Sequence, residues 1–283
     1  MTKATSVWQI ESKDEETSEV LHALEEQFLQ NQELVHERRS EGRSTLHHAA
    51  KMRLPRVTQL LLTHGADPNA RDEGGETPLF YLFDLDLTKD SPSVLAVATS
   101  LLDAGADPNV TDANNVPLHY IALQWDYTLL AELLEARGAN VCLNAAILLG
   151  RFDAVREMLQ HDLEALRHAP LPNQIGFDAL SHNRWPDELR ARHRELLRVL
   201  LQAGLDPNQR VYGKTVFFQA CYLGCPLGIL ELLVHYGADI NALADNGQTP
   251  LDVAIQYWGE EQQCYLRSLG GKTASELRSG WSS

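Results

Sequence analysis

His64-Gly65-Ala66-Asp67-Pro68-Asn69 returns along the chain as Ala104-Gly105-Ala106-Asp107-Pro108-Asn109, Arg137-Gly138-Ala139-Asn140-Val141, Ala203-Gly204-Leu205-Asp206-Pro207-Asn208 and Tyr236-Gly237-Ala238-Asp239-Ile240-Asn241. The glycines stand 40, 33, 66 and 33 residues apart, and 33 beyond Gly237 lies Gly270. A phrase returning at a fixed interval marks a stack of similar supersecondary units rather than one closed core. Each copy follows a leucine-bearing run: Leu60-Leu61-Leu62, Leu101-Leu102, Leu133-Leu134, Leu200-Leu201 and Leu232-Leu233. The glycine is therefore placed to end a helix in the left-handed C-cap conformation. The Asp-Pro-Asn that follows, with a turn such as Asp72-Glu73-Gly74-Gly75, predicts a protruding hairpin.

A second phrase keeps register with the first: Gly42-Arg43-Ser44-Thr45-Leu46-His47-His48-Ala49-Ala50, Gly75-Glu76-Thr77-Pro78-Leu79, Val116-Pro117-Leu118-His119-Tyr120-Ile121-Ala122, Gly213-Lys214-Thr215 and Gly247-Gln248-Thr249-Pro250-Leu251-Asp252-Val253-Ala254. Thr77-Pro78 and Thr249-Pro250 pair an N-cap with a proline in the first turn, where its missing N–H costs nothing, so a helix is expected to start at each. The phrase resembles the ankyrin motif T-P-L-H-x-A, and the period of 33 matches the ankyrin unit. The resemblance covers residues 40–275. It implies an all-α ankyrin-repeat solenoid of about six to seven helix-turn-helix units with β-hairpin fingers and an N-terminal helical cap. The units fall at about 41–73, 74–113, 114–141, 142–165, 166–211, 212–244 and 245–275, between a tail and capping helix at 1–40 and a C-terminal tail at 276–283. The degenerate last unit resembles those of stand-alone bacterial ankyrin proteins. His47 and His119 are assigned to the motif's histidine position, where they hydrogen-bond neighbouring turns.

Three departures from regularity are visible. Extra residues around Asp84–Pro92 separate the two helices of the second unit; Lys89 and Leu95 stand where a calcium loop needs glycine and glutamate, so an acidic surface loop is expected. After Asn140-Val141 the chain runs directly into Cys142-Leu143-Asn144, leaving no room for a finger. Arg184, Arg190, Arg192, Arg194 and Arg198 make one segment basic, expected as a long helix capped near Asp187 whose arginines pair with neighbouring acids.

The chain has 283 residues, 44% of them hydrophobic, with 24 Lys+Arg against 39 Asp+Glu, a net charge of −15, which opposes a general electrostatic term for nucleic acid. No apolar run has the length of a membrane span or a secretory signal, and four cysteines are too few for a disulfide framework, so a cytoplasmic protein is expected. Cys221 and Cys225 share a helix face without further ligands nearby and read as buried packing. There is no nucleophile elbow, phosphate loop or H-E-x-x-H; no catalysis, cofactor or metal is expected.

What remains is recognition. In ankyrin arrays the partner surface is built from finger tips and the open positions of each first helix. By resemblance this selects Arg71, Asp72, Glu73, Tyr81, Asp84, Thr111, Asp112, Tyr120, Gln124, Arg210, Tyr212, Gln219, Tyr222, Gln256 and Tyr257. The tyrosines supply large contact area at low entropic cost. The expected function is a binding protein, monomeric when free, that neutralises or inhibits a partner with a basic surface, as immunity proteins do. The alternative is an adaptor, scaffold or host-directed effector that joins two proteins.

Overall fold

The computed structural model describes residues 6–83, 89–162, 164–180 and 192–279, and separates into two compact units, residues 1–141 and 142–283. In the first lie α1 (Ser18–Gln30), α2 (Thr45–Lys51), α3 (Pro55–Thr63), α4 (Pro92–Asp103), α5 (Leu118–Gln124) and α6 (Thr128–Ala136). The short helices α2 and α5 are the first helices of their repeats, while α3, α4 and α6 are second helices packed in sequence, α3 on α4 and α4 on α6. Their inner faces carry Val57 and Leu61, Val97 and Leu101, Leu130 and Leu134, spaced four apart and all without solvent exposure. Of the Leu133-Leu134 pair it is thus Leu134 that faces the stack.

The second unit holds α7 (Leu143–Leu148), α8 (Phe152–His161), α9 (Ala165–His168), α10 (Ile175–Leu180), α11 (His193–Gln202), α12 (Val216–Tyr222), α13 (Leu227–His235), α14 (Pro250–Tyr257), α15 (Glu260–Ser268) and α16 (Ala274–Ser279). β1 (Arg210–Val211) and β2 (Lys214–Thr215) form an antiparallel finger with Arg210 opposite Thr215. Its two-residue turn has positive φ at both Tyr212 and Gly213, the geometry that matches strand twist in tight hairpins. The fingers at Arg38–Ser44 and Thr111–Pro117 are reduced to single bridges.

The recurring Asp-Pro-Asn phrase has a mechanical explanation. Each Asp accepts from the N–H two residues on, as in Asp67 to Asn69 and Asp206 to Asn208. That turn aims the asparagine at the next repeat. Asn69 donates to the Gly105 carbonyl and accepts from the Asp107 N–H, both at 2.8 Å. Asn109 does the same to Gly138 and Asn140, Asn208 to Gly237 and Asp239, and Asn241 to Gly270 and Lys272. Finger bases are tied similarly. The Arg38 guanidinium donates to the carbonyls of Gly42 and Arg71, and that of Arg210 to Gly213 and Leu243, each second partner being 33 residues away.

Arg38 shows that the N-terminal cap is itself a truncated repeat: it stands where Arg71 and Arg210 stand, α1 packs along α3 as a second helix, and the 3-10 turn Val7–Gln9 covers α2. Glu16, buried in that segment, accepts from the Val57 N–H at 2.6 Å and so caps α3, whose own N-cap residue Leu54 makes no side-chain bond.

Helix starts follow the sequence in part. Ser44, Thr215 and Thr249 each accept from the N–H three residues on, and Thr249 with Asp252 completes a capping box. Thr77-Pro78 departs from expectation. Only the 3-10 turn Phe80–Leu82 follows, and the buried Thr77 hydroxyl finds no partner among the described residues. The chain leaves the helical path at Phe83, where the insert begins. Asp84 to Thr88 lie outside the described residues, but Asp90 at the end of the insert accepts from Leu129 and Leu130 N–H at 2.8 and 3.0 Å, capping α6.

Arg184, Arg190 and the cap at Asp187 also lie outside the described residues. In the described part, Arg192 reaches Asp153 and lies over the Phe152 ring, Arg156 reaches Glu195, and Arg194 reaches Glu231, so these pairs link second helices of adjacent repeats. Cys221 and Cys225 are buried, which drives both thiols up, Cys225 to about 12.

Asn109→Ala, which removes both bonds of one clip, should cost about 1 to 2 kcal/mol in urea unfolding. Leu134→Ala should cost about 2 to 5 kcal/mol, and Leu133→Ala clearly less.

Candidate partner-binding surface

Which side chains a first helix shows to solvent depends on where it is capped. The backbone pairs Asp72 N–H to Glu76 O, Asp112 N–H to Val116 O and Ala244 N–H to Gln248 O close equivalent finger turns. The next residue, Thr77, Pro117 or Thr249, is the cap, and each lies 12 residues after its glycine. Three residues beyond the cap points inward: His47, Tyr120, Phe218 and Asp252 occupy that place. Four, seven and eight residues beyond lies the open stripe: His48, Lys51 and Met52; Ile121, Gln124 and Trp125; Gln219, Tyr222 and Leu223; and Gln256 and Tyr257, the place four beyond on the last of these helices being taken by Val253, which is buried against Phe218 and Ala244.

This register corrects two expectations. His119 stands one residue before the motif's histidine place, which belongs to Tyr120. Tyr120 is consequently fully buried, its hydroxyl accepting from Gln124, and it leaves the set of surface candidates. Ile121 and Trp125 take the outward places on α5. His47 does occupy the motif position. Its Nδ1 takes the Ser44 N–H at 3.1 Å, so Nε2 carries the proton and donates to the Glu76 carbonyl of the next finger at 3.0 Å. Asn144 plays the same part on α7, donating to the Leu171 carbonyl and to the buried Asp178 carboxylate.

In the first unit the finger residues prove to be part of the fold as much as of its surface. The Arg71 guanidinium is held by the Gly75 carbonyl. Asp72 accepts from the Glu76 N–H and from the Tyr81 hydroxyl at 2.6 Å; burial works against its carboxylate, but these bonds hold it below the usual range. Asp112 accepts from the N–H groups of Asn114 and Val116, and Thr111 lies in the bridge to Pro117. Glu73 is exposed, its N–H tied to Glu41 of the preceding finger. Tyr81 is half-buried between Asp72 and Arg43, edge-on to His47, and burial followed by the Asp72 bond pushes its hydroxyl up to about 12. A groove of about 340 Å³ is lined by Arg43, Lys51, Glu76, Tyr81, Phe83, Asp112 and Trp125. Asp84 is outside the described residues.

In the second unit the candidates come together on one face. Tyr222 and Tyr257, 43% and 53% exposed, meet edge to face at 5.8 Å, and the Lys214 ammonium sits 4.7 Å over the Tyr222 ring. Gln256 accepts from Gln248, and Gln219 beside Tyr222 is half-buried. Tyr212 at the hairpin tip is 86% exposed in a left-handed backbone conformation rarely adopted by an aromatic residue. Arg210 is engaged by its finger carbonyls and by Asp245. Sequence reasoning missed Lys214 and Trp258. Trp258 lies over Gly224, where a Cβ would come within 2.3 Å of the indole, so glycine there both allows φ +68° and seats the ring. Among the described residues no group of three or more His, Cys, Asp or Glu side chains is placed to hold a metal ion.

Two stretches match family models: residues 29–82 that of ankyrin repeats in many copies, and residues 189–270 that of ankyrin repeats in three copies. Human "Ankyrin repeat and SOCS box protein 16" is 30% identical over 224 residues, which are 76% of this chain and 41% of that protein. "E3 ubiquitin-protein ligase KEG" of Arabidopsis thaliana is 26% identical over 236 residues, 77% of this chain and 14% of its own length. The chain thus spans less than half of the curated relatives it matches here. The solved human ASB11 ankyrin repeat domain is 21% identical with a TM-score of 0.43, over 87% of this chain and 92% of that one.

Burial, ahead of the nearby arginines, pushes the imidazoles of His47 and His48 below their ordinary value near 6.5. The unfolded chain then takes up protons that the folded chain refuses, so stability is complete above about pH 6.5 and declines as pH falls below it. Urea midpoints measured between pH 7.5 and 5.5 should show this decline, and His47→Asn should flatten it.

Proposed function

The chain belongs to the ankyrin-repeat family, whose arrays are protein-interaction modules, and on that premise we propose that it works by binding a partner protein through the open stripe and finger tips, without chemistry of its own. The observation carrying this is the exposed ring cluster of the second unit. Tyr222, Tyr257 and Trp258 are large amphipathic surfaces left in water beside Lys214, and Tyr212 is held out at a hairpin tip at a cost in backbone energy. Such rings are the residues that dominate binding energy at interfaces. Gln256 flanks them with an amide able to exchange its Gln248 partner for one of an incoming chain.

Occupation of this surface would neutralise or inhibit the partner, as an immunity protein does. Residues 1–141 carry 11 Lys+Arg against 23 Asp+Glu, net −12, while residues 142–283 carry 13 against 16, net −3. That field favours approach of a protein of net positive charge and makes the association rate salt-dependent. The setting proposed is the cytoplasm and the free state a monomer; among the described residues no helix is long and apolar enough to cross a membrane.

The relatives favour a second reading, an adaptor. One is named as a SOCS box protein and another as an E3 ubiquitin ligase, in each of which the matched region is only a part. On this reading the array selects one protein while another face or segment engages a second.

Affinity capture with the intact chain, followed by light scattering, separates the two: a single stoichiometric partner supports inhibition, two simultaneous partners an adaptor. Tyr222→Ala with Tyr257→Ala should weaken capture at least about tenfold with little change in the thermal midpoint. Binding unchanged in that variant would remove the surface proposed here.

A further inference from the structure

The most acidic part of the chain contains a groove lined by cations. Between the N-terminal cap and the second finger lies a cavity of about 170 Å³ walled by Trp8, Arg39, Arg43, His48, Lys51 and Tyr81. No carboxylate lines it among the described residues. Arg39 lies 4.6 Å over the Trp8 ring, Trp8 packs against His48 at 5.2 Å, and Arg43 lies 5.5 Å over Tyr81. Arg39 is fixed along the Trp8 ring and Arg43 by its Nε bond to the Tyr81 hydroxyl at 2.7 Å, which orients both planar guanidinium groups at the rim. Glu37 and Glu41 approach Arg39 and Arg43 from outside, at 3.7 Å in the first case, and Lys51 is exposed. The adjoining 340 Å³ groove shares Arg43, Lys51 and Tyr81 and continues to Phe83 and Trp125. The two, together the channel, share three lining residues: the cap end is cationic and, among the described residues, without a carboxylate, and the adjoining groove sets Phe83 and Trp125 beside Glu76 and Asp112, so an acidic group is favoured at the cap end alone.

We propose that this channel binds an acidic segment of a partner protein, placing a carboxylate among Arg39, Arg43 and Lys51 and an apolar side chain against Phe83 and Trp125. Charge complementarity selects the occupant. The 170 Å³ cavity is lined, among the described residues, by three cations and no carboxylate; Glu37 and Glu41 pair with Arg39 and Arg43, while Lys51 is exposed, and the aromatic walls strengthen its attraction for an incoming carboxylate. Planar guanidinium groups match a carboxylate. A basic segment would meet these three cations directly. The inference rests on the protein-binding reading and deepens it: a partner drawn in by the long-range negative field presents one acidic loop to this channel.

The test uses the full chain and capped hexapeptides Gly-X-X-Gly-Trp-Gly with X as Glu, Gln or Lys, followed by calorimetric titration. The Glu peptide should bind at least about tenfold more tightly than the other two, and Lys51→Gln should reduce its affinity severalfold. Arg39→Gln with Lys51→Gln should reduce it further, by about tenfold in all, while Lys272→Gln, an exposed cation in the other unit, leaves it unchanged. Since Arg39 also holds Trp8, Lys51→Gln alone decides the matter if the double variant melts early. Equal binding of the Gln or Lys peptide, no saturable binding, or indifference to Lys51→Gln overturns the proposal. Displacement of the Glu peptide by equimolar inorganic phosphate also overturns it, in favour of a general anion site. The titration needs no natural partner. Its failure removes the channel and leaves the Tyr222–Tyr257 surface standing, whereas a captured partner indifferent to Tyr222 and Tyr257 removes that surface and leaves the channel.

Discussion

One asparagine side chain holds each pair of regular neighbours together, and most of the architecture follows from it. Asn69, Asn109, Asn208 and Asn241 each satisfy a carbonyl and an N–H of the following repeat. Those carbonyls belong to the glycines that end second helices, groups a helix cannot satisfy by itself. Two bonds at about 1 kcal/mol net apiece are modest, but they recur in the same place and so fix rise and rotation from repeat to repeat. Side chains four, seven and eight residues past each cap therefore line up into a continuous display within a unit, although their sequence neighbours are unrelated.

Where the phrase lapses, other groups take over. Asn140-Val141 leads straight into α7 without a finger, and within the second unit the amide of Asn144 joins Leu171 and Asp178 instead. At the N-terminus, where no complete repeat precedes α2 and α3, Arg38 and Glu16 supply the finger tie and the helix cap from a segment without the phrase. Asp90 does the same service for α6 from the end of an insert. The common requirement is that a second helix beginning at Leu54 or Tyr127, neither of which makes a capping side-chain bond, must borrow an acceptor.

The fold was legible because it depends on glycine, proline and asparagine at fixed offsets, residues whose backbone preferences act locally. Which candidate side chains are exposed was legible only where the helix register was unambiguous. Val116-Pro117-Leu118-His119 imitates the motif one residue out of phase, and that slip of about 100° around a helix exchanges the buried Tyr120 for Ile121. The interval from glycine to cap is 12 at Thr77, Pro117 and Thr249 but 11 at Thr215, so spacing alone left the phase open. Asp72, Asp112, Arg71 and Arg210 looked like free charges, yet each has a bond within its finger, which a sequence reveals only through turn chemistry. Trp258 was invisible because its position over Gly224 depends on the chain turning extended after Tyr257.

Charge is likewise a matter of placement. The surplus of −15 is a property of the whole chain, whereas the recognition we propose rests on Lys214 over Tyr222 in one unit and on Arg39, Arg43 and Lys51 among rings in the other. Both are cations laid on aromatic surface, a combination that favours oriented contacts over general attraction. Hydrogen exchange on the intact chain, free and saturated with its captured protein, tests the central claim that the first-helix stripe and fingers are the binding face. Protection should rise across 210–224 and 248–258 and leave α11 and α13 unchanged; protection confined to α11 and α13 would contradict it.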